Sequence, residues 1–165
     1  MIAGARQASY PEINVRNVQR KVRIDRNALQ EFAEQALQLC LQIRPHGVRR
    51  LNQLREVFIL LVSDRRISGL HRQFLSKSGP TDIITFEHGE IFISAETARR
   101  HARQFGSSLL WELQLYVVHG LLHLHGFDDQ NKVDAGKMEK TQQRILAAAR
   151  KDRGDDSFGW LRADS

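Results

Sequence analysis

The sequence predicts one globular α/β domain in which a mixed sheet is covered by helices. Its 165 residues, 41% hydrophobic and 27% charged, are enough to bury a core of their own. Runs with the two-residue period of strands are interspersed along the chain with runs that have the helical period. That mixture, without internal repeats, is typical of a sheet packed against helices.

The first half of the chain contains two predicted strands and two predicted helices. Residues 13–18 partly alternate, and residues 57–62 are apolar throughout, as in a strand covered on both faces. Asp25 is a suitable N-cap for the first helix. A loop is predicted over residues 45–55, before the second strand, and residues 67–74 fit a short second helix after that strand. The apolar stripe of the first helix comprises Leu29, Phe32, Ala33, Ala36, Leu37, Cys40 and Ile43.

Two short strands follow, and then three helices. Residues 78–80 predict a turn, and residues 82–86 and 90–94 predict strands joined through residues 88–89. Ser94 is a suitable N-cap for the helix after them.

That helix is predicted to end near Phe105. Residues 106–108 separate it from a helix that is apolar nearly all round and therefore buried. A last amphipathic helix is predicted over roughly residues 131–151, and the tail of residues 152–165 is expected to be loosely held.

Cysteine content and hydropathy favour a cytoplasmic location. Cys40 is the only cysteine, which excludes an intrachain disulfide, and its place on the helical stripe predicts a core residue. Residues 1–10 lack the apolar segment of a signal peptide, and the longest apolar run, residues 57–62, is too short to span a bilayer. We therefore expect no membrane partner.

Charge is unevenly distributed along the chain. Residues 1–80 contain 14 Lys and Arg against 6 Asp and Glu, whereas residues 81–129 contain 3 against 7. A basic half suits a polyanionic partner, and acids gathered elsewhere suit a cation. A solvated basic surface explains the same charge equally well, so composition alone does not predict nucleic-acid binding.

The most informative segment is His119-Gly-Leu-Leu-His123-Leu-His-Gly126-Phe-Asp-Asp129. A spacing of four places His119 and His123 on the same face of the buried helix, one turn apart. Gly126 predicts the end of the helix, because glycine enters a left-handed turn at little cost. The chain can then fold back and bring Asp129 to the imidazoles. Two imidazoles and one carboxylate make a three-ligand metal site with room for a water, as in catalytic sites.

Other interpretations of this segment stay open. A pair of core histidines would explain the spacing, although burying two titratable rings without a shared purpose is costly. Asp128 and His125 compete as the third ligand, but His125 lies only two residues after His123 and would point to another face of a continuing helix. Two histidines and a carboxylate also suit iron, manganese or nickel as well as zinc.

Three blocks of sequence resemble the YbeY family of bacterial metal-dependent endoribonucleases. They are residues 80–86 (PTDIITF), residues 89–94 (GEIFIS) and residues 119–129, and the likeness spans roughly residues 13–150. The resemblance implies a mixed four-stranded sheet packed with about five helices, one of them a zincin-like metal helix. It also implies a single hydrolase domain over residues 1–165, with flexible tails at both ends.

The resemblance further implies one Zn²⁺ ion per chain, held by His119, His123 and Asp129, and single-stranded RNA as the substrate. The implied role is maturation of the 3′ end of 16S ribosomal RNA and ribosome quality control. The small ribosomal subunit and its proteins are then the expected partners. Asp129 stands where the family usually has a histidine.

Several other positions bear on RNA binding and catalysis. Leu75 stands where the family usually has an arginine thought to contact RNA, and Arg72 and Lys77 nearby could supply that contact instead. Glu90 stands where the family usually has an aspartate. Asp82 or Glu90 could act as a general base or orient a ligand histidine. Each could also be structural, one by capping a turn and the other by facing solvent from a strand edge.

Two other functions share part of this pattern. Zinc proteases with the same histidine spacing place a glutamate directly after the first histidine as general base, whereas Gly120 occupies that position here. The other alternative is a non-catalytic ribosome-assembly factor with a structural metal, which Leu75 favours.

Overall fold

A computed structural model describes residues 11–76, 79 and 81–151 of the chain. Lys77 and the predicted tail of residues 152–165 lie outside the described residues. Most of the predicted turn at residues 78–80 and most of the predicted N-terminal tail lie outside them as well. A short 3₁₀ helix, Leu51–Gln53, interrupts the predicted loop of residues 45–55. The other elements, in chain order, are β1 (Glu12–Asn17), α1 (Arg26–Leu41), β2 (Glu56–Val62), α2 (Asp64–Leu75), β3 (Ile83–Phe86), β4 (Glu90–Ser94), α3 (Ala95–Phe105), α4 (Leu109–Leu124) and α5 (Lys132–Lys151).

The four strands form one mixed sheet in the order β1-β2-β4-β3. β1, β2 and β4 are parallel, with Val15 opposite Ile59 and Ile59 opposite Ile91. β3 is antiparallel to β4, with Thr85 opposite Ile91. The predicted α/β class, with its mixed four-stranded sheet and five α-helices, is confirmed.

Side chains just before each helix begin it by accepting a backbone hydrogen bond. Asp25 and Ser94, the two predicted N-caps, accept from the N–H groups three residues on, at 3.0 and 3.2 Å. Ser63 does the same for α2, which is why that helix begins at Asp64 and not at residue 67. No helix in the described ranges is long and apolar enough to cross a membrane.

The sheet separates a large core from a small one. The large core lies against α1, α4 and α5, and it includes Cys40, whose pKa is raised to about 12 by burial. The small core lies under α2. Successive residues of a strand point to opposite faces, so Ile91 and Ile93 of β4 enter the large core while Phe92 enters the small one. This alternation decides which polar residues of β4 can reach α4.

Candidate metal centre

α4 lies directly on the sheet through a glycine. A Cβ atom added to Gly120 would lie 2.8 Å from two side-chain carbon atoms of Ile91 on β4. Most side chains of the helix are apolar, and Leu113, Val117 and Leu121 are fully or almost fully covered. Because Gly120 faces β4, the sheet side of α4 has no room for a longer side chain at this point.

The end of α4 folds as predicted at Gly126. This glycine has a φ of +92°, in the left-handed region. The N–H of Gly126 donates to the carbonyl oxygen of His123 at 3.1 Å, and that of Phe127 donates to Leu122 at 3.0 Å, the bonding of a Schellman motif. A Cβ added to Gly126 would lie 1.6 Å from the carbonyl oxygen of His46. Only glycine fits this turn without moving the backbone beside it.

The turn brings the predicted third ligand back to the histidine pair. The Nε2 atoms of His119 and His123 lie 3.0 Å apart. Oδ2 of Asp129 lies 3.8 Å from each of them. Both imidazoles are about a quarter exposed and the carboxylate is half exposed. The three side chains therefore form a compact group of donors, open to solvent on one side, that could hold a metal ion.

Two hydrogen bonds orient the imidazole rings. Nδ1 of His123 donates to the carbonyl oxygen of Phe127 at 3.0 Å, and Nδ1 of His119 donates to Oε1 of Gln142 on α5 at 2.7 Å. Because both Nδ1 atoms carry the proton, both Nε2 atoms present lone pairs to each other and to Asp129. Lone pairs that converge in this way repel unless a cation lies between them, so the donor set fits a metal ion.

Burial keeps His123 in the form that binds metals. Loss of water around the ring lowers the pKa of His123, and the neighbouring His119 lowers it further. The opposing effect of Asp129 and of the Phe127 carbonyl does not outweigh these causes. A neutral imidazole is the ligand form, so the ring does not have to lose a proton at neutral pH.

Neither competing third ligand joins the group. His125 is buried, its Nδ1 accepts from the N–H of Leu51 at 3.2 Å, and its Nε2 donates to the carbonyl oxygen of Ile43 at 2.7 Å. It therefore anchors the loop before β2 to the end of α4. Oδ1 of Asp128 accepts from the N–H groups of Asp129 and Gln130 at 2.7 and 3.3 Å, which closes its own turn.

A cleft of about 780 Å³, here called the histidine cleft, surrounds the three donors. Asp82 lines it, as do Leu75 and Arg49, and Arg49 donates a hydrogen bond to Glu87. Its other walls are residues 47–48, 83–85 and 126–130. The structure thus brings one of the two predicted general bases into the same cleft as the histidine pair.

Glu90 and Arg72 lie in a different cleft, here called the opposite cleft. It has a volume of about 1020 Å³ and lies between α2 and the face of β3 and β4 that is turned away from α4. Glu90 points there because it alternates with Ile91, and its carboxylate lies 3.4 Å from Nε2 of His88. The structure therefore does not bring Glu90 or Arg72 to the histidines, against the expectation from sequence.

Two residues of the site escaped the sequence analysis. Gln142 borders the apolar stripe of α5, and a polar side chain beside a buried face was the available signal. Arg49 gave no signal, because its position depends on the loop that His125 anchors.

Comparison with known proteins identifies the family of the chain. Residues 14–150 match the family model described as Endoribonuclease YbeY. The chain belongs to the YbeY family. A relative from Pelotomaculum thermopropionicum named Endoribonuclease YbeY is 31% identical over 147 residues, which cover 80% of this chain and 93% of the relative.

Further relatives carry the same name, and a solved structure has a similar fold. A Bacteroides thetaiotaomicron protein with the same name is 36% identical over 102 residues, covering 58% of this chain and 74% of that protein. An Anaeromyxobacter relative is 38% identical over 103 residues, covering 56% of this chain and 54% of that protein. The solution structure of a Thermotoga maritima protein matches with a TM-score of 0.61 and 25% identity, covering 88% of this chain and 93% of that one.

Proposed function

We propose that this chain is a metal-dependent endoribonuclease that cleaves single-stranded RNA. The observation that carries the proposal is the convergence of the two Nε2 atoms, 3.0 Å apart, with the carboxylate of Asp129 at 3.8 Å. The name of the relatives, Endoribonuclease YbeY, supports RNA as the substrate. The formal net charge of +6 is consistent with a polyanionic substrate.

His119, His123 and Asp129 would hold one divalent ion, for which zinc is the first candidate. Such an ion supplies Lewis acidity toward a phosphoryl oxygen and toward water. Asp129 makes the set one unit less positive than three imidazoles would be. The same donors also suit iron, manganese or nickel, so the metal has to be measured.

The other residues of the cleft have separate tasks in this proposal. The Phe127 carbonyl and Gln142 hold the imidazole rings in the orientation that turns both Nε2 atoms into the cleft. Asp82, which lines the same cleft, would accept a proton from the attacking hydroxyl or water. Arg49 would contact a phosphate of the substrate once its bond to Glu87 opens.

The biological role we propose is maturation of the 3′ end of 16S ribosomal RNA and ribosome quality control. The small ribosomal subunit and its proteins would be the partners, and the protein would act in the cytoplasm. Family membership and the basic charge support this role.

Peptide hydrolysis by the familiar route is disfavoured by Gly120. Zinc proteases with this spacing carry their general base at the position after the first histidine. Here that position faces β4, and a side chain would collide with Ile91.

A non-catalytic assembly factor with a structural metal is the second candidate. Leu75 favours it, because this exposed apolar side chain lines the histidine cleft where an arginine would contact RNA. For such a factor, a chelator would unfold the protein, and no cleavage would be detected at any protein concentration.

The proposal is tested by metal content and RNA cleavage measured on the same purified proteins. We expect His119→Ala and Asp129→Ala to lose the bound metal and to cleave unstructured RNA at least about a thousandfold more slowly. His88→Ala, which changes an exposed histidine of the opposite cleft, should keep both properties. Intact cleavage by folded His119→Ala protein, or cleavage by the wild type that is insensitive to chelator, would contradict the proposal.

A further inference from the structure

A groove beside α5 carries unpaired positive charge. It has a volume of about 1080 Å³ and lies between residues 43–46 and α5, and we call it the α5 groove. Four cationic residues line it, and Glu139 is the single acid among its described lining residues. The four are Arg44, Lys137, Lys140 and Arg144.

The three cations of α5 lie on one face of the helix. Lys137, Lys140 and Arg144 follow the spacing i, i+3 and i+7, so they form a row along about 10 Å of the helix axis. Arg44 faces this row from the other wall. None of the four forms an ion pair with a carboxylate of the described residues, whereas Arg49 and Arg100 do. Their charge is therefore free for a ligand.

The α5 groove is continuous with the histidine cleft. A small cavity of about 250 Å³ lies between them. It shares His46 and Lys137 with the groove and Gly47 with the histidine cleft, and Phe127 lines all three spaces. An extended ligand can therefore pass from the three donors to the cationic row without leaving the surface.

The small cavity between the two spaces is lined by an exposed imidazole ring and by two carboxylates. His46 is exposed and packs on Phe127 with ring centroids 4.6 Å apart, a ring on which a base could stack. Asp128 and Asp134 also line the small cavity. Both are engaged by hydrogen bonds within the chain, Asp128 from its own turn and Asp134 from Asn131. The phosphate contacts are therefore assigned to the groove beyond them.

We propose that the α5 groove binds the phosphodiester backbone of the RNA strand as it leaves the histidine cleft. This inference rests on the proposed function, because it takes the strand in the cleft to be RNA. A row of free cations beside a groove that continues the site matches the electrostatic track used for single strands. It predicts that the affinity for RNA depends on strand length beyond the part held in the histidine cleft.

The test measures binding separately from cleavage. We combine Lys137→Gln, Lys140→Gln and Arg144→Gln in one protein, called the groove variant, and keep the metal in place by using probes whose 2′-O-methyl phosphorothioate linkages keep their charge and resist cleavage. The probes are fluorescent uridine oligomers of about 12 and about 4 nucleotides, within the range of single-strand site sizes. Fluorescence anisotropy at several salt concentrations gives the affinity and its dependence on salt.

A matched control variant removes the same charge from the opposite cleft. It combines Arg65→Gln, Arg66→Gln and Arg72→Gln, which are exposed and line that cleft. We expect the groove variant to bind the long oligomer about tenfold more weakly, with a salt slope smaller by about 2, at roughly 0.7 per lost phosphate contact. The affinity of the groove variant for the short oligomer should be nearly that of the wild type. The control variant should keep the wild-type salt slope for the long oligomer.

The outcomes separate this inference from the proposed function. A groove variant with the wild-type salt slope, or two variants that lose the same slope, would overturn the inference even if the wild type cleaves RNA. A polyglutamate peptide that binds wild type as tightly as the long oligomer, but not the groove variant, would also overturn it, because the occupant would be an acidic polypeptide. A wild type that binds as expected but never cleaves would leave the groove assigned and the proposed function wrong.

Discussion

The histidine cleft and the opposite cleft lie on the two faces of the same pair of strands, and they differ in chemistry more than in size. The opposite cleft is the larger, at about 1020 Å³ against 780 Å³. Yet the histidine cleft alone holds a converging group of three imidazole and carboxylate donors among the described residues. The opposite cleft instead combines arginines with exposed aromatic rings such as Phe74, which meets Phe86 edge to face at 5.4 Å.

This difference teaches that a candidate site here is identified by convergent donors and not by cavity volume. Three ligand atoms within 4.8 Å of one another need a backbone turn, two oriented rings and a neighbouring helix to hold them. The opposite cleft needs only an amphipathic helix lying over a sheet edge. We therefore expect substitutions in the two clefts to have unequal effects.

The largest difference should come from glycine substitutions. Gly126→Ala places a methyl group against the carbonyl oxygen of His46 at a left-handed residue, and we expect it to lower the free energy of unfolding by about 3 kcal/mol or more. Gly69→Ala, on α2 in the opposite cleft, meets no atom within 4 Å and should stabilise the helix by up to about 1 kcal/mol. Urea unfolding of both variants measures this, and a neutral Gly126→Ala would show that the turn can relax.

The two candidate bases provide the next comparison. Asp82→Asn should slow RNA cleavage by about a hundredfold or more while metal content stays at the wild-type level, because a general base contributes at least that much. Glu90→Gln should change the rate by less than about threefold, because its carboxylate faces the opposite cleft. Single-turnover rates with saturating enzyme separate these effects from binding. If Glu90→Gln were the slower enzyme, the assignment of the base would be reversed.

Local spacing explains what the sequence could predict. The histidine pair follows from the four-residue spacing on one helix, and the turn at Gly126 follows from the conformational freedom of glycine, so both are encoded within a few residues. The strands and the class of sheet follow from short apolar runs in the same way. The alternation of β4 could also have shown that Glu90 points away from Ile91 and hence from α4.

Long-range contacts explain what the sequence could not predict. Arg49 reaches the histidine cleft because His125 anchors the loop around it, through bonds to Leu51 and Ile43 that are 74 and 82 residues away. Gln142 reaches His119 from a separate helix 23 residues on. No periodicity in the sequence records how two distant segments pack, so these contacts could be identified only from the structure.

Acid should lower the stability of α2, the helix beside the opposite cleft, by protonating Asp64 at its first position. Burial alone would raise the pKa of Asp64, but hydrogen bonds from Arg100, Ser94 and Thr97 outweigh it and lower the pKa below its ordinary value. Because the pKa is lowered on folding, the stabilisation is complete above the ordinary value near 4 and is lost as the pH falls through the folded value. Asp64→Asn should therefore cost about 1 kcal/mol at neutral pH and less in acid. Asp25→Asn, which keeps a good N-cap, is the control. If urea unfolding showed that both variants lose the same free energy of unfolding, the stabilising role assigned to Asp64 would be contradicted.

The smallest expected effect uses two neighbouring residues that line different clefts. Leu75 lines the histidine cleft and Phe74 lines the opposite cleft, and both are about half exposed. Leu75→Arg adds a free guanidinium where Arg49 is already engaged by Glu87, so we expect affinity for single-stranded RNA to rise by about threefold to tenfold. Phe74→Arg adds the same charge on the other face and should change the affinity by less than about twofold, because a charge outside the path meets no phosphate. Equal gains in anisotropy titrations at matched salt would mean that total charge, and not its place in the histidine cleft, controls RNA binding.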